Sequence, residues 1–288
     1  MSSVPSRPRP TAMRTTVLRT SRLTPTMVRL VVGGPGLATF VPSEHADSYV
    51  KLVFLPASAP DDLPLTDQGR VDLDQLRAEL PADAQPRLRS YTVRAFDPDA
   101  LELTLDVVVH GDAGVAGPWA ASAVPGDELL LVGPGGSYSP DPTADWHLLV
   151  GDTSALPAIA VALERLDPAA CGHAFIEVHH AHDVIPLVAP AGVEVHWVDR
   201  GRGVTGLALV EAVDALPWPE GTVHAFVHGE AGTVKELRHH LRVGRGLSRG
   251  QLSISGYWRL GADDEAWRAS KREWARTIEA DEQAVGLD

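Results

Sequence analysis

From Thr15 to about Tyr138, apolar and polar residues alternate in short runs broken by Pro and Gly. Leu101, Leu103, Leu105, Val107 and Val109 share one face of such a run, and Glu102, Thr104 and Asp106 share the other. That period of two belongs to a strand. Similar runs occupy 27–32, 49–55, 88–96 and 127–132, and several short strands at this spacing predict a small antiparallel β-barrel. The stretch from Ala57 to Pro86, with Pro60, Pro64 and Pro81, predicts a long loop over one end of the barrel, because proline removes a ladder donor. The Gly- and Pro-rich residues 133–145 read as the linker to a second domain.

Past the linker the period changes. Runs at 147–150, 174–179, 193–198, 223–227 and 252–255 read as strands. Between them, 156–163, 207–216 and 234–241 space their apolar residues as helices do. Strands alternating with helices predict an α/β half with a parallel sheet. A charged helix from Asp263 to about Glu279 carries Trp267, Trp274 and Ile278 along one stripe. The expected organisation is a disordered leader over 1–14, a barrel over 15–138, an α/β domain over 139–260 and a C-terminal helix and tail over 261–288.

The bulk composition narrows the chemistry. The 288 residues suit two cores, and a formal charge of −13 argues against a nucleic-acid partner. Residues 1–43 hold six arginines and no acidic residue. Ser2 to Pro10, however, has no apolar core for a secretory signal, and no stretch is long and apolar enough for a membrane span. A cytoplasmic protein is expected. A single cysteine, Cys171, excludes an intrachain disulfide and an iron–sulfur cluster held by four thiolates of one chain. Electrons, if any are carried, must travel on an organic cofactor.

Two segments suggest which one. Arg89-Ser90-Tyr91-Thr92 opens a strand and places Arg89 and Tyr91 on one face. An arginine there can clamp a pyrophosphate, the Tyr91 ring can pack on an isoalloxazine, and Thr92 can hydrogen-bond the flavin N5. The second segment is Val109-His110-Gly111, then Gly114-Val115-Ala116-Gly117-Pro118-Trp119-Ala120. Its small residues let a backbone approach a phosphate, and Pro118 suits the first position of a helix. The alternatives are an ordinary barrel strand and a tight turn, with Trp119 simply in the core.

These segments, ahead of an α/β half, resemble the ferredoxin-reductase-like flavoproteins and, more closely, the siderophore-interacting proteins. The likeness extends to Gly151-Asp152-Thr153-Ser154-Ala155-Leu156-Pro157-Ala158-Ile159, to Gly229-Glu230-Ala231 with Leu237-Arg238, and to Ser255-Gly256-Tyr257-Trp258-Arg259. It covers roughly 15–274. It departs from the family pattern at Thr153, Ser154 and His228, and at Gly135, where many members carry arginine. The resemblance implies bound FAD, reduction by NADPH or NADH or by a ferredoxin, and a ferric siderophore as substrate. It places Gly229 and Glu230 near the nicotinamide, and Lys51, Tyr257, Trp258 and Arg259 around the chelate. Lys51 and Arg259 are expected to meet across the two domains, and Lys271 either adds to them or is solvated.

The remaining site residues are read from chemistry. Gly151 to Pro157 turns from strand to helix without the three-glycine fingerprint, and Asp152 would repel a pyrophosphate there. The turn, including Thr153 and Ala155, therefore either lies near a nicotinamide or only caps the helix. Arg200 and Arg202 follow a strand end, where an arginine can bind the extra phosphate of NADPH; a solvated loop is the alternative. His173, His179, His180 and His182 cluster in sequence without a carboxylate or thiol to complete a ligand set, so no metal site is expected. No Gly-x-Ser-x-Gly context supports a hydrolase. The competing functions are a general NAD(P)H:flavin or electron-transfer reductase, and a protein that binds a ferric chelate without turnover.

Overall fold

A computed structural model of the chain describes residues 10–111 and 114–287. The described residues form two compact units. One holds the chain up to Arg22 with Val28–Ser43 and Ser48–Gly135; the other holds Leu23–Met27, Glu44–Asp47 and the chain from Gly136.

In the first unit, strands β1 (Thr11–Thr24), β2 (Met27–Gly33), β3 (Tyr49–Phe54), β4 (Val71–Asp72), β5 (Arg87–Asp97), β6 (Glu102–Val108) and β7 (Glu128–Gly135) form one sheet. Its order is β2-β6-β5-β3-β7-β1, and β1 pairs back with β2, so six strands close into an antiparallel barrel. Closure removes the exposed edges of an open sheet. Alternate residues fill the interior, among them Met13, Val17, Val50, Leu52, Leu103, Leu105, Leu129 and Leu131. On β6 the other face is not simply polar. Asp106 is buried and accepts from Arg29 Nε at 2.7 Å and Nη2 at 2.8 Å.

Two sequence expectations change in this unit. Residues 11–14 belong to β1 rather than to a leader, because Thr11 and Ala12 pair with Asp72 and Val71, and Ala12 and Met13 are buried. Residues 1–9 lie outside the described residues. The stretch 57–86 is not all loop: it holds β4 and helix α1 (Leu73–Glu79). Asp72 caps α1 by accepting from the N–H groups of Asp74 and Gln75, both at 3.0 Å. Leu73 and Leu76 then pack with Leu63, Val53, Leu80 and Leu130. The prolines flank this helix instead of interrupting it. Helix α2 (Ala116–Ser122) precedes β7.

The second unit is a parallel sheet of β8 (Trp146–Asp152), β9 (Cys171–Val178), β10 (Gly192–Asp199), β11 (Val223–Glu230) and β12 (Leu252–Trp258), in the order β10-β9-β8-β11-β12. Helices α3 (Leu156–Arg165), α4 (Leu207–Asp214), α5 (Ala231–His239) and α6 (Asp264–Ala284) accompany it. Every residue of β8 is buried, as a central parallel strand requires. The expected linker is only partly one. Gly133 to Gly135 end β7, while Tyr138 is buried against His224 and Phe226 at ring distances of 5.1 and 4.8 Å.

Helix α6 runs five residues past the expected end at Glu279 because its last turn is anchored by a buried charge. Glu282 is 4 % exposed and accepts from Arg238 Nε at 2.5 Å and Nη2 at 2.8 Å, with Arg242 and Arg249 each within 3.6 Å. The hydrogen bond from Arg238 holds this carboxyl below the usual carboxylate range. Its contribution to stability is therefore complete above the ordinary glutamate pKa of about 4.3 and is lost as pH falls below it. Glu282→Gln leaves arginine charges uncompensated and is expected to cost about 3 kcal/mol at pH 7, with a smaller difference from the parent as pH falls below the ordinary glutamate range. Urea unfolding of parent and variant at pH 7 and below that range checks this.

Candidate functional site

The sheet order places β9 and β10 on one side of β8, and β11 and β12 on the other. The chain thus reverses between β8 and β11, and the strand carboxyl ends diverge there, as at the ligand crevices of open α/β sheets. Asp152, the last residue of β8, fills this position. Its Oδ1 accepts from the Ser154 N–H at 2.8 Å and the Ser154 hydroxyl at 2.5 Å. Its Oδ2 accepts from the Glu230 N–H and Trp258 Nε1, both at 2.8 Å. One carboxylate so ties the ends of β8, β11 and β12. Gly229, at φ +142, is needed beside it: a Cβ there would stand 2.7 Å from Asp152 Oδ2.

Two further carboxylates converge on the same crevice. Glu230 Oε2 accepts from the Thr233 N–H at 2.9 Å and caps α5, which begins at Ala231 rather than at the expected Val234. Its Oε1 accepts from the Leu260 N–H at 3.1 Å. Glu177, at the end of β9, accepts from the Gly206 N–H at 2.9 Å, and burial raises its carboxyl pKa, helped by Asp152 and Glu230. Gly151, Asp152, Glu177, Glu230 and His228 are among the residues lining a cavity of about 10 Å3, roughly the space of one water. Three carboxylates in so small a space do not fit a pyrophosphate.

The other expected nucleotide contacts divide. Arg200 turns inward, with Nη1 2.7 Å from Thr205 Oγ1 and 3.9 Å from Glu177 Oε1, and Nη2 against His179 Nε2. Arg202 is exposed, as are the flanking Gly203 and Val204. Thr153 is half-buried and Ala155 buried at the turn before α3.

In the barrel, Arg89 and Tyr91 lie half-buried on β5, with exposed Ser90 between them and buried Thr92 after. Tyr91 packs against both apolar clusters that line this part of the barrel. Beyond β6, Val109 is half-buried and His110 exposed. Gly111 and Gly114 are exposed, hold φ of +54 and +80, and a Cβ on either would meet no described atom within 4 Å. Helix α2 starts at Ala116, two residues before the expected Pro118. At Gly117 the helix lies beside β6, where a Cβ would stand in ordinary contact with the Val108 carbonyl at 3.4 Å. Ala116 and Ala120 are buried, and Trp119 packs edge-on to Phe54 at 5.7 Å, a core role. A half-buried ring and arginine on one strand and exposed positive-φ glycines before the start of α2 are chemically compatible with a flavin dinucleotide. A cleft of this unit, about 460 Å3 beside Arg14, Gly34 and Arg70, is lined by none of these residues.

The expected chelate residues sit apart in sequence and differ in exposure. Lys51 is half-buried on β3, opposite Ser90 of β5. Tyr257 meets His228 edge-on at 5.0 Å, Trp258 holds Asp152, and Arg259 is exposed. Lys271 is not solvated: its Nζ donates to Ser255 Oγ at 3.1 Å, because α6 packs on β12. At Gly135, where the family resemblance implied arginine, a Cβ would stand 2.4 Å from the Tyr49 ring, so a side chain there would have to displace that ring.

Two features escaped the sequence. His228 stacks on Phe226 at 3.7 Å and shares a hydrogen bond with Ser253 Oγ at 3.0 Å. Its pKa is pushed down to about 3, first by burial and then by the Lys271 charge. The histidine cluster also acquires a carboxylate: His173 lies beside His196 and Glu194 of the neighbouring strand. No signal along the chain could pair them, because β9 and β10 are joined only in the sheet.

Comparison with known proteins matches the chain to two family descriptions, "Siderophore-interacting FAD-binding domain" over residues 16–138 and "Siderophore-interacting protein" over 144–261. An uncharacterised protein of Mycobacterium tuberculosis is 49% identical over 90% of this chain and 94% of its own length. The ferric vibriobactin reductase ViuB of Vibrio cholerae is 34% identical over 85% of this chain and 88% of its own. The crystal structure of the siderophore-interacting protein SipS from Aeromonas hydrophila superposes with a TM-score of 0.78 at 30% identity, covering 93% of this chain and all of that one. Ferredoxin-NADP+ reductase from Plasmodium falciparum shares the fold alone, at TM-score 0.59 and 9% identity over 85% of this chain and 96% of that one. The fold is therefore ferredoxin-reductase-like.

The depressed pKa of His228 makes the fold acid-sensitive. The unfolded chain binds a proton near pH 6.5, whereas the folded one does not until about 3, so stability present above pH 6.5 is lost as pH falls between these values. His228→Leu is expected to flatten the dependence by up to about 1.4 kcal/mol per pH unit. Urea midpoints of parent and variant at pH 7, 6 and 5 give the comparison; parallel curves would refute it.

Proposed function

Because the chain belongs to the siderophore-interacting protein family, we propose that it is an FAD-dependent oxidoreductase that reduces ferric siderophore chelates, releasing ferrous iron at the expense of NADPH or NADH. The observation that carries this reading is the pair of elements Arg89 with Tyr91 on β5 and the exposed, positive-φ Gly111 and Gly114 before α2, within a chain whose relative of 34% identity is a ferric vibriobactin reductase. The chemistry that FAD supplies when bound is acceptance of two electrons together and their release one at a time. Arg89 neutralises the pyrophosphate, the Tyr91 ring packs on the isoalloxazine, and Thr92 donates to its N5. The backbone of Val109, His110, Gly114, Ala116 and Gly117 approaches the phosphates.

On the α/β unit, the acidic crevice excludes phosphate, so the nicotinamide end of the donor is read against Thr153, Ala155, Gly229 and Glu230. The charge-assisted contact to the extra phosphate of NADPH falls to exposed Arg202, since Arg200 is engaged with Glu177, Thr205 and His179. Lys51 and Arg259 attract an anionic chelate, with Tyr257 and Trp258 beside Arg259 as apolar contacts. Iron stays in its oxygen-donor chelate and takes no protein ligand. That Arg200 is occupied gives weight to a protein donor such as a ferredoxin as the second reading.

The purified protein is expected to carry FAD, to bleach under anaerobic NADPH or NADH, and to regain its colour on addition of a ferric chelate. Arg89→Ala should lose the flavin while keeping the barrel, as judged by circular dichroism. Bleaching by reduced ferredoxin alone would select the second reading. Reoxidation by free flavin or simple acceptors but no ferric chelate would indicate a general reductase, and chelate binding without any bleaching a non-catalytic binder. A wild-type protein that is colourless and takes up no added FAD would end the proposal.

A separate expectation concerns the chelate. Lys51→Ala with Arg259→Ala should raise KM for an anionic ferric chelate and flatten its salt dependence. Flavin reduction and the rate with a neutral acceptor should stay near the parent values. An unchanged KM and salt response would remove both residues from the site.

A further inference from the structure

Away from the crevice, at the other end of the parallel sheet, three metal-ligating side chains meet. Strands β9 and β10 run in parallel with His173 opposite Glu194 and Phe175 opposite His196, which puts all four side chains on one face. His173 Nδ1 lies 3.2 Å from His196 Nε2. Glu194 Oε2 lies 3.9 Å from the first nitrogen and 3.7 Å from the second. These three atoms thus form a compact triangle. A tetrahedral zinc ion with bonds of about 2.0–2.1 Å spaces its ligands roughly 3.3 Å apart, so the two nitrogens already stand at that separation. The carboxylate oxygen needs to move in by about half an ångström, and Glu194, with its side chain 70% exposed, is free of packing that would prevent it.

The imidazoles, by contrast, are held. His196 stacks on Phe175 at 4.5 Å and 15°, His173 stacks on His196 at 5.4 Å, and Trp146 meets His173 edge-on at 6.3 Å. Aromatic packing on three sides fixes which ring nitrogens face the gap. The His173 side chain is 18% exposed and that of His196 36%, so the fourth coordination position opens toward solvent on the side of Glu194.

We propose that His173, His196 and Glu194 bind one divalent first-row transition ion, and that Zn2+ suits the site by its tetrahedral preference for such donors. Two imidazoles and one carboxylate suit such borderline ions and not Mg2+ or Ca2+, which demand oxygen donors. The ion would also have a structural effect. β10 is the edge strand of the sheet, and a bond from each of two strands would pin that edge to β9. The site is independent of the flavin reading, since none of its residues belongs to either motif assigned to FAD.

The rival account is a pair of neutral imidazoles sharing one hydrogen bond beside a surface carboxylate. Titration separates the two. The full-length protein, stripped with a chelator, is titrated with Zn2+ and separately with Mg2+ by calorimetry. One equivalent of Zn2+ per chain and no Mg2+ is expected, together with slower amide exchange along 192–199 when Zn2+ is bound. Loss of residues that merely orient metal ligands typically costs about 10–100-fold in affinity, so His173→Ala with His196→Ala should weaken Zn2+ by at least that much. Glu194→Gln, at an exposed position that cannot threaten folding, should also weaken it. His180→Ala with His182→Ala, in the neighbouring histidine run, should leave it unchanged. Absence of stoichiometric Zn2+ binding, or an affinity indifferent to Glu194→Gln and to the double His173 and His196 variant, would overturn the site.

Discussion

Asp152 stands at the end of the central strand of the α/β sheet, and four donors from three segments close on its carboxylate: the N–H and hydroxyl of Ser154, the N–H of Glu230 and the Trp258 indole. A buried carboxylate is costly unless its lone pairs are met, and here each is met by a group that defines the end of a strand. The geometry of the crevice follows. Gly229 must lack a side chain to pass Asp152, Glu230 is aimed to cap α5, and Trp258 is drawn in beside β8. Removing the carboxylate would release the ends of β8, β11 and β12 together.

This arrangement also decides what the crevice can hold. Comparable positions in open α/β sheets bind phosphates through free amides at helix starts. Here the amides of Glu230, Thr233 and Gly206 are already donated to Asp152, Glu230 and Glu177. The helix starts are saturated by internal anions, and the net field is negative. Under the proposed function, a nucleotide approaching this unit would be guided by exposed Arg202 and by the apolar and backbone surface near the crevice, not by a phosphate cradle. The barrel is the complementary case: Gly111 and Gly114 are exposed, and its half-buried arginine and tyrosine share one strand.

Charge is handled by the same rule elsewhere. Asp106 and Glu282 are buried, and each is met by arginine in a two-point geometry, with Arg29 and Arg238 respectively. Such pairs are specific in direction as well as energy. They register β6 against β2 and α6 against α5. His228 follows another rule: burial and the Lys271 charge push its pKa down, and the ring stacks on Phe226.

What the chain determined by itself is what short-range physics can write into it. Period two over 101–109 and period 3.6 over 156–163 set strand and helix, and the change of period near residue 140 divided the chain. The segment proposed to hold the flavin could be put forward because Arg89, Tyr91 and Thr92 are neighbours on one strand, where alternation alone sets their faces. The family resemblance lay in ordered motifs of the same local kind. Helix α1 was missed because flanking prolines masked its Asp72 cap, and the end of α6 because a buried Glu282 looks polar in sequence. Only the tertiary structure turned Arg200 inward, set Lys271 on Ser255, filled the space beside Gly135 with Tyr49, and brought Glu194 and His196 to His173. Each of these depends on which strand or helix lies next to which, and that choice is made by burial summed over the whole unit, which no local pattern encodes.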